Sequence, residues 1–165
     1  MPFTPFHLGP GLLLKGLLQG SFSFMVYGWT QVLMDIQPLI VLITGEGHLH
    51  GFSHTLMGGG LIAVFAAISG KYASEWTLSF LQIPHDIRWW VSGFSAGLGA
   101  LSHVILDAIM HGDLYLFFPF SDAQPLLGVL TISNLHKLCF YTGLVGLGIY
   151  SVGLFWQQQR KDHHL

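Results

Sequence analysis

The sequence predicts an all-α fold: a polytopic membrane bundle of four long helices with a short N-terminal half-helix, in a single domain over residues 1–165. Three observations carry this. Only 8% of the residues are charged, against about 25% in soluble domains, and the mean hydropathy is +0.58. Apolar stretches near the roughly 20 residues needed to cross a bilayer recur along the chain. The polar residues that interrupt them, above all His103, Asp107 and His111, keep a four-residue, helical spacing.

Composition also excludes several classes. A net charge of −2 and the lack of a long basic run argue against a nucleic-acid partner. The single cysteine, Cys139, rules out an intramolecular disulfide and a thiolate zinc site. The N-terminal stretch MPFTPFHLGP has no basic n-region and no small-residue cleavage site, so no removable signal peptide is expected.

Taken in order, Pro2 and Pro5 break a short polar and aromatic lead. LGPGLLLKGLL, residues 8–18, is helical in pattern but too short to span a core about 30 Å thick. It is expected to be half-inserted, with Lys15 snorkelling. Residues 22–44 are long enough to cross, and contain Gln31, Asp35, Gln37 and a kinking Pro38. A glycine- and histidine-rich loop, TGEGHLHGFSHT, follows at 44–55. An apolar helix over 56–69 reaches spanning length with 51–55 included. Residues 70–90 hold much of the charge and two tryptophans, the composition of an interfacial loop. Spans over 91–110 and 138–156 complete the bundle, separated by a loop at 111–136 and closed by a polar tail at 157–165.

Charge then orients the bundle. Lys71 and Arg88 precede the third span and Arg160 and Lys161 follow the fourth, so both pairs fall on one side. The positive-inside rule makes that side, and the C-terminus, cytoplasmic. His7, His48, His50, His54, His111 and His136 are thereby gathered at the outer end, with His103 and Asp107 in the outer half of their helix. Only His85, His163 and His164 fall on the other side.

Two imidazoles and a carboxylate on one stripe of an apolar helix are the usual ligands of a divalent transition metal. The alternative is a structural network in which Asp107 pairs with histidine; an intramembrane carboxylate is costly and favours function. His50 and His54 repeat the four-residue spacing, with His54 the candidate ligand and His50 a ligand, second-layer group or proton carrier. Asp35, mid-span among Leu, Met and Ile, calls for a metal or histidine partner. Glu46 is a candidate general base or a solvated loop residue. His7, in isolation, reads as an interfacial histidine. Asp113, Asp122, Asn134 and His136 are turn formers or substrate contacts, and Tyr115, Phe117, Phe118 and Phe120 an interfacial belt.

His7, Asp35, GFSHT at 51–55, and HVILDAIMHG at 103–112 followed by Pro119-Phe120 together resemble the YdjM-type family. That family is described as inner-membrane, metal-dependent hydrolases, LexA-regulated in some bacteria. The resemblance covers most of residues 1–120, and its specific parts are the Gly-x-Ser/Thr-His-Ser/Thr and His-x-x-x-Asp motifs. Its motif order is in turn similar to that of zinc-dependent phospholipases C. The resemblance implies an inner-membrane location and metal roles for His7, Asp35, His54, His103 and Asp107. One departure stands out: the family reads His-Arg-Gly before the second histidine, whereas this chain has Leu49-His50-Gly51, with His48 and His50 flanking the expected position.

The function expected is metal-dependent hydrolysis of an ester or phosphoester of a lipid or small amphiphile at the outer membrane face. Zinc suits imidazole and carboxylate ligands without thiolate; iron or manganese also fit. Metal ligands are expected among His7, Asp35, His54, His103, Asp107 and His111, with His50 or Glu46 carrying protons. Membrane lipids are the expected partners. The rival reading is a small ion or proton transporter using the same groups as a relay.

Overall fold

The computed structural model describes residues 5–83 and 86–162. His85, His163 and His164 lie outside them. Five α-helices account for the architecture: α1 (Leu8–Leu18), α2 (Phe24–Thr44), α3 (Leu56–Phe80), α4 (Trp89–Met110) and α5 (Ile132–Asp162). Among the described residues there is no strand. α2 to α5 are each long and apolar enough to cross a membrane, and the 11-residue α1 is not. The expected bundle of four long helices and a half-helix is therefore observed.

Local chemistry explains most of the boundaries. Ser23 caps α2 by accepting from the Val26 amide, and Thr55 caps α3 by accepting from Gly58. α2 ends where Gly45 takes a left-handed conformation, φ 73°, which a glycine adopts without a steric penalty.

Residues 51–55, expected to lengthen α3, lie outside it in a turn at Phe52–His54, and two helices end or begin elsewhere than expected. α3 runs on to Phe80 through a stretch whose charges suggested a loop. Lys71 and Glu75 stand one turn apart and pair with each other. Lys71 also donates to the Ile87 carbonyl at 2.5 Å, and Glu75 accepts from the Ile87 amide at 3.3 Å. The charges are thus consumed inside the fold, tying α3 to the segment that enters α4. α5 begins at Ile132, where the Thr131 hydroxyl accepts from Asn134, and continues to Asp162 through what reads as a polar tail. Gln, Arg and Lys are good helix formers, so leaving the apolar span does not end the helix. Lys15, rather than snorkelling freely, donates to the carbonyls of Gln19 and Phe22 and closes the turn after α1.

α4 is the central helix, packed against both α2 and α3, while α5 packs chiefly on α1. The α1–α5 contact is very close. A Cβ on Gly9 would run into the Cys139 carbonyl, and one on Gly146 into the backbone at Leu12–Leu13. One apolar cluster, Val26, Ala66, Ile87, Val91 and Ala96, fills the end near the start of α4. Another, around Met34, Val104, Ala108, Leu114 and Leu116, fills the opposite end. There the 111–131 loop folds back, and its Leu116 carbonyl accepts from the Leu56 amide at 3.0 Å.

Candidate metal centre

Five side chains from four segments converge inside this second end. His7 closes the turn before α1, Asp35 comes from α2, His54 from the turn before α3, and His103 and Asp107 from one face of α4. All five are buried, His54 and His103 completely. His103 lies seven residues from the end of α4, so the centre is sunk by about 10 Å of helical rise.

Asp107 is the hub. Its Oδ1 is 3.3 Å from His7 Nε2, and its Oδ2 is 3.4 Å from His54 Nε2 and 3.3 Å from His103 Nε2. Asp35 Oδ1 stands 3.4 Å from His103 Nε2 on the other side. These separations exceed the usual N–H···O range, and the Nε2 atoms of His7, His54 and His103 have no hydrogen-bond partner, nor does His7 Nδ1. Leaving one such buried group unsatisfied costs about 1–3 kcal/mol. Three of them, the Nε2 atoms, face the same carboxylates and are poorly explained as a packing network.

A cation shared by the three Nε2 atoms and the carboxylates would satisfy them. Two ligands held tetrahedrally at bonds of about 2.0–2.1 Å lie roughly 3.3 Å apart, which is the spacing found here. His7, His103 and Asp107 form one group able to hold a metal, and Asp35, His54 and His103 another. His103 belongs to both, so the two groups adjoin one another. Their donor set of imidazoles and carboxylates suits a divalent transition ion.

The surroundings fix which nitrogens are available. His103 Nδ1 lies 2.7 Å from Gln31 Oε1, an atom that can only accept, so Nδ1 carries a proton and the neutral ring keeps its lone pair on Nε2. The Gln31 amide is itself anchored by its Nε2 donating to the Gly99 carbonyl at 2.9 Å. Ser53 Oγ sits 2.8 Å from His54 Nδ1 and holds that ring in place, as a hydroxyl that can donate or accept. Burial, the largest cause, holds the His54 imidazole down at about 4 in the metal-free fold. His7 is positioned through its backbone, the Tyr27 hydroxyl donating to its carbonyl at 2.9 Å.

His111 belongs elsewhere. It follows the last residue of α4 and its Nε2 is 3.9 Å from Asp107. Its ring stacks on that of His50, with centroids 4.0 Å apart. His50 Nδ1 in turn lies 2.9 Å from both oxygens of Asp113. These three form a further group at the rim. Burial alone would raise the Asp113 carboxyl, but the hydrogen bond from His50 opposes it and the carboxyl lies below the usual range. His50 also meets the His54 ring edge-on at 5.2 Å, so the rim adjoins the centre.

Glu46 is not brought to either group: it lies in the exposed loop after α2, where its amide donates to the Thr44 hydroxyl. His48 is exposed and contributes its carbonyl to Gln37, and His136 stacks on Phe6. Sequence reading singled out neither Gln31 nor Ser53 as a supporting group, and held Asp113 only as a turn former or substrate contact. Gln31 had a signal, since it sits one turn before Asp35 on the same face of α2. Asp113 had none, because its partner is 63 positions away.

The sequence matches the family described as YdjM inner membrane protein over residues 14–163. The chain belongs to that family. Asp35, His54, His103 and Asp107 all fall inside the YdjM match, and His7 lies before it. No curated protein and no solved structure matches the chain. An inner-membrane family agrees with the four spanning helices, and the buried His/Asp groups are able to hold a metal.

Proposed function

We propose that the protein is a membrane-embedded, metal-dependent hydrolase acting on an ester or phosphoester of an amphiphile at the outer membrane face. The observation that carries this is the convergence of three unpartnered, buried imidazole Nε2 atoms on the carboxylates of Asp35 and Asp107. His7, Asp35, His54, His103 and Asp107 would hold the ion, with zinc the best match to the donors and iron or manganese also compatible. When bound, the ion supplies Lewis-acid polarisation of the scissile group and acidifies water towards neutral pH.

The chain's own groups supply the rest. Asp113 accepts from His50 Nδ1–H, which leaves His50 Nε2 as a base beside the centre. His50 takes the proton of the attacking water as its oxygen bonds to carbon or phosphorus, then returns it to the departing oxygen as the ester bond breaks. The rim cleft in which this occurs has a volume of about 320 Å³ and is lined by His48, His50, Thr55, Asp113, Tyr115 and Phe118. Glu46 is too remote from the gathered groups to be preferred.

Orientation is part of the proposal. Lys15, Lys71, Arg88 and Arg160 belong to the end opposite the centre, which supports a cytoplasmic C-terminus and an outward-facing site. A transport relay is disfavoured, because the apolar cluster of Val26, Ala66, Val91 and Ala96 separates the centre from the paired Lys71 and Glu75.

Elemental analysis of detergent-purified protein tests the reading, alongside His103→Ala and Asp107→Ala. Stoichiometric zinc, iron or manganese, lost in both variants, is expected, followed by turnover in a screen of phosphoesters and lipid esters. Absence of metal after purification without chelator and after reconstitution would overturn it.

A further inference from the structure

Beside the centre, α1 and α2 leave a lateral cleft of about 400 Å³, within the size range of ligand sites. Pro5 and Leu8 form one wall. Phe24, Met25, Gly28 and Val32, successive positions on one face of α2, form the other. The cleft is almost wholly apolar until one end, where Gln31 and Asp35 line it. Asp35 is a ligand candidate and Gln31 is the residue that orients His103. From Phe24 to Asp35 the helical rise is about 16 Å, so the cleft runs from the centre along the spanning part of α2.

Its open side faces lipid. Met25 and Val32 are 37% and 41% exposed within a span, and Gly28 keeps the floor low, since a Cβ there would meet only Leu8 at 3.8 Å. A second groove of about 430 Å³, on the α5 side of α1, is lined by Leu12, Phe140, Leu144 and Leu147, and none of the centre's side chains borders it. Of these two, the α2 cleft is the one bordered by the centre's side chains.

We propose that this cleft seats one acyl chain of a membrane phospholipid, placing the lipid's ester or phosphoester end against the metal centre. The proposal rests on the hydrolase reading and names its substrate class. The chain enters sideways from the bilayer, its first carbons beside Asp35 and Gln31 and its far end beside Phe24 and Met25. Water reaches the same centre from the rim cleft at His50 and Asp113.

The test is photo-crosslinking of the full chain in phosphatidylethanolamine–phosphatidylglycerol vesicles, with a trace of phosphatidylcholine bearing a diazirine on one acyl chain. A terminal diazirine is expected to label Phe24 and Met25, and a mid-chain diazirine Gly28 and Val32. Both should label more densely than at the lipid-facing Leu61 and Val64 of α3, which are 62% and 63% exposed. Gly28→Phe, which fills the cleft, should lower the α2 labelling several-fold and leave that of α3 unchanged. Val32→Trp, on the exposed wall, should do the same should Gly28→Phe not fold. Labelling of α2 no denser than of α3, or indifferent to both variants, would overturn the proposal. Metal content of the same preparations reads the hydrolase proposal separately: a metal-loaded protein without cleft labelling refutes only the acyl-chain site.

Discussion

Gln31 and His103 meet across the α2–α4 interface, Oε1 to Nδ1 at 2.7 Å, and this one contact sets which edge of the imidazole looks into the candidate metal centre. Removing the acceptor frees the ring to carry its proton on Nε2, where a cation is to bind. Gln31→Leu should weaken metal binding about 10- to 100-fold, the usual cost of losing such a supporting partner. Gln31→Glu, which keeps an acceptor oxygen towards Nδ1, should recover most of it. Competition titration with a chromophoric zinc chelator measures both; unchanged affinity in Gln31→Leu would refute the tautomer assignment.

The rim group should separate from the centre in its effects. His50→Ala is expected to retain stoichiometric metal while lowering kcat roughly 10²- to 10⁴-fold, the range for loss of a general base. Asp113→Asn, which leaves the ring but not the carboxylate that orients it, should lower kcat less. Metal lost in His50→Ala would instead make His50 a ligand.

Acid should act through His54. In the metal-free fold its imidazole stays neutral down to about 4, whereas in the unfolded chain it takes a proton near 6.5. Between those values the unfolded state binds more protons, so stability falls as pH falls. The loss should begin below about 6.5 and level off below about 4. Thermal unfolding of metal-free protein in detergent across that window checks the sign, and His54→Gln should flatten the slope. Bound metal should likewise be released on acidification, since its ligands must be deprotonated.

Gly9→Val tests how His7 is placed. Its Cβ would strike the Cys139 carbonyl, an overpacking cost of about 1–3 kcal/mol. As α1 moves off α5, His7 should leave Asp107. Lower thermal stability together with weaker metal binding is expected; Cys139→Ala, which leaves that carbonyl in place, should not reproduce it.

The helices were legible because apolar length is a strong signal, and the boundaries that shifted did so for identifiable reasons. Lys71 and Glu75 look like loop residues until each is seen to satisfy the other inside α3. Asp35, His54, His103 and Asp107 stood out as polar groups where polarity is expensive, and the structure brings all four together. His7 read alone as an interfacial residue; only its resemblance to a family motif pointed to a metal role, since it is buried against His103 and Asp107 of α4, about a hundred positions away. The His50–Asp113 contact was illegible for the same reason: loop pairings carry no periodicity.

The dependence of α1 on α5 also orders events in time. α1 leaves the ribosome first, yet the surface against which Gly9 and Gly16 lodge, at Cys139 and Gly146, is made last. Asp35, His54, His103 and Asp107 can come together from α2, α3 and α4 before α5 is inserted, whereas α1, which follows His7, gains its close glycine contacts only once α5 is in place. The four-residue part of the centre can therefore form before α1 is finally seated.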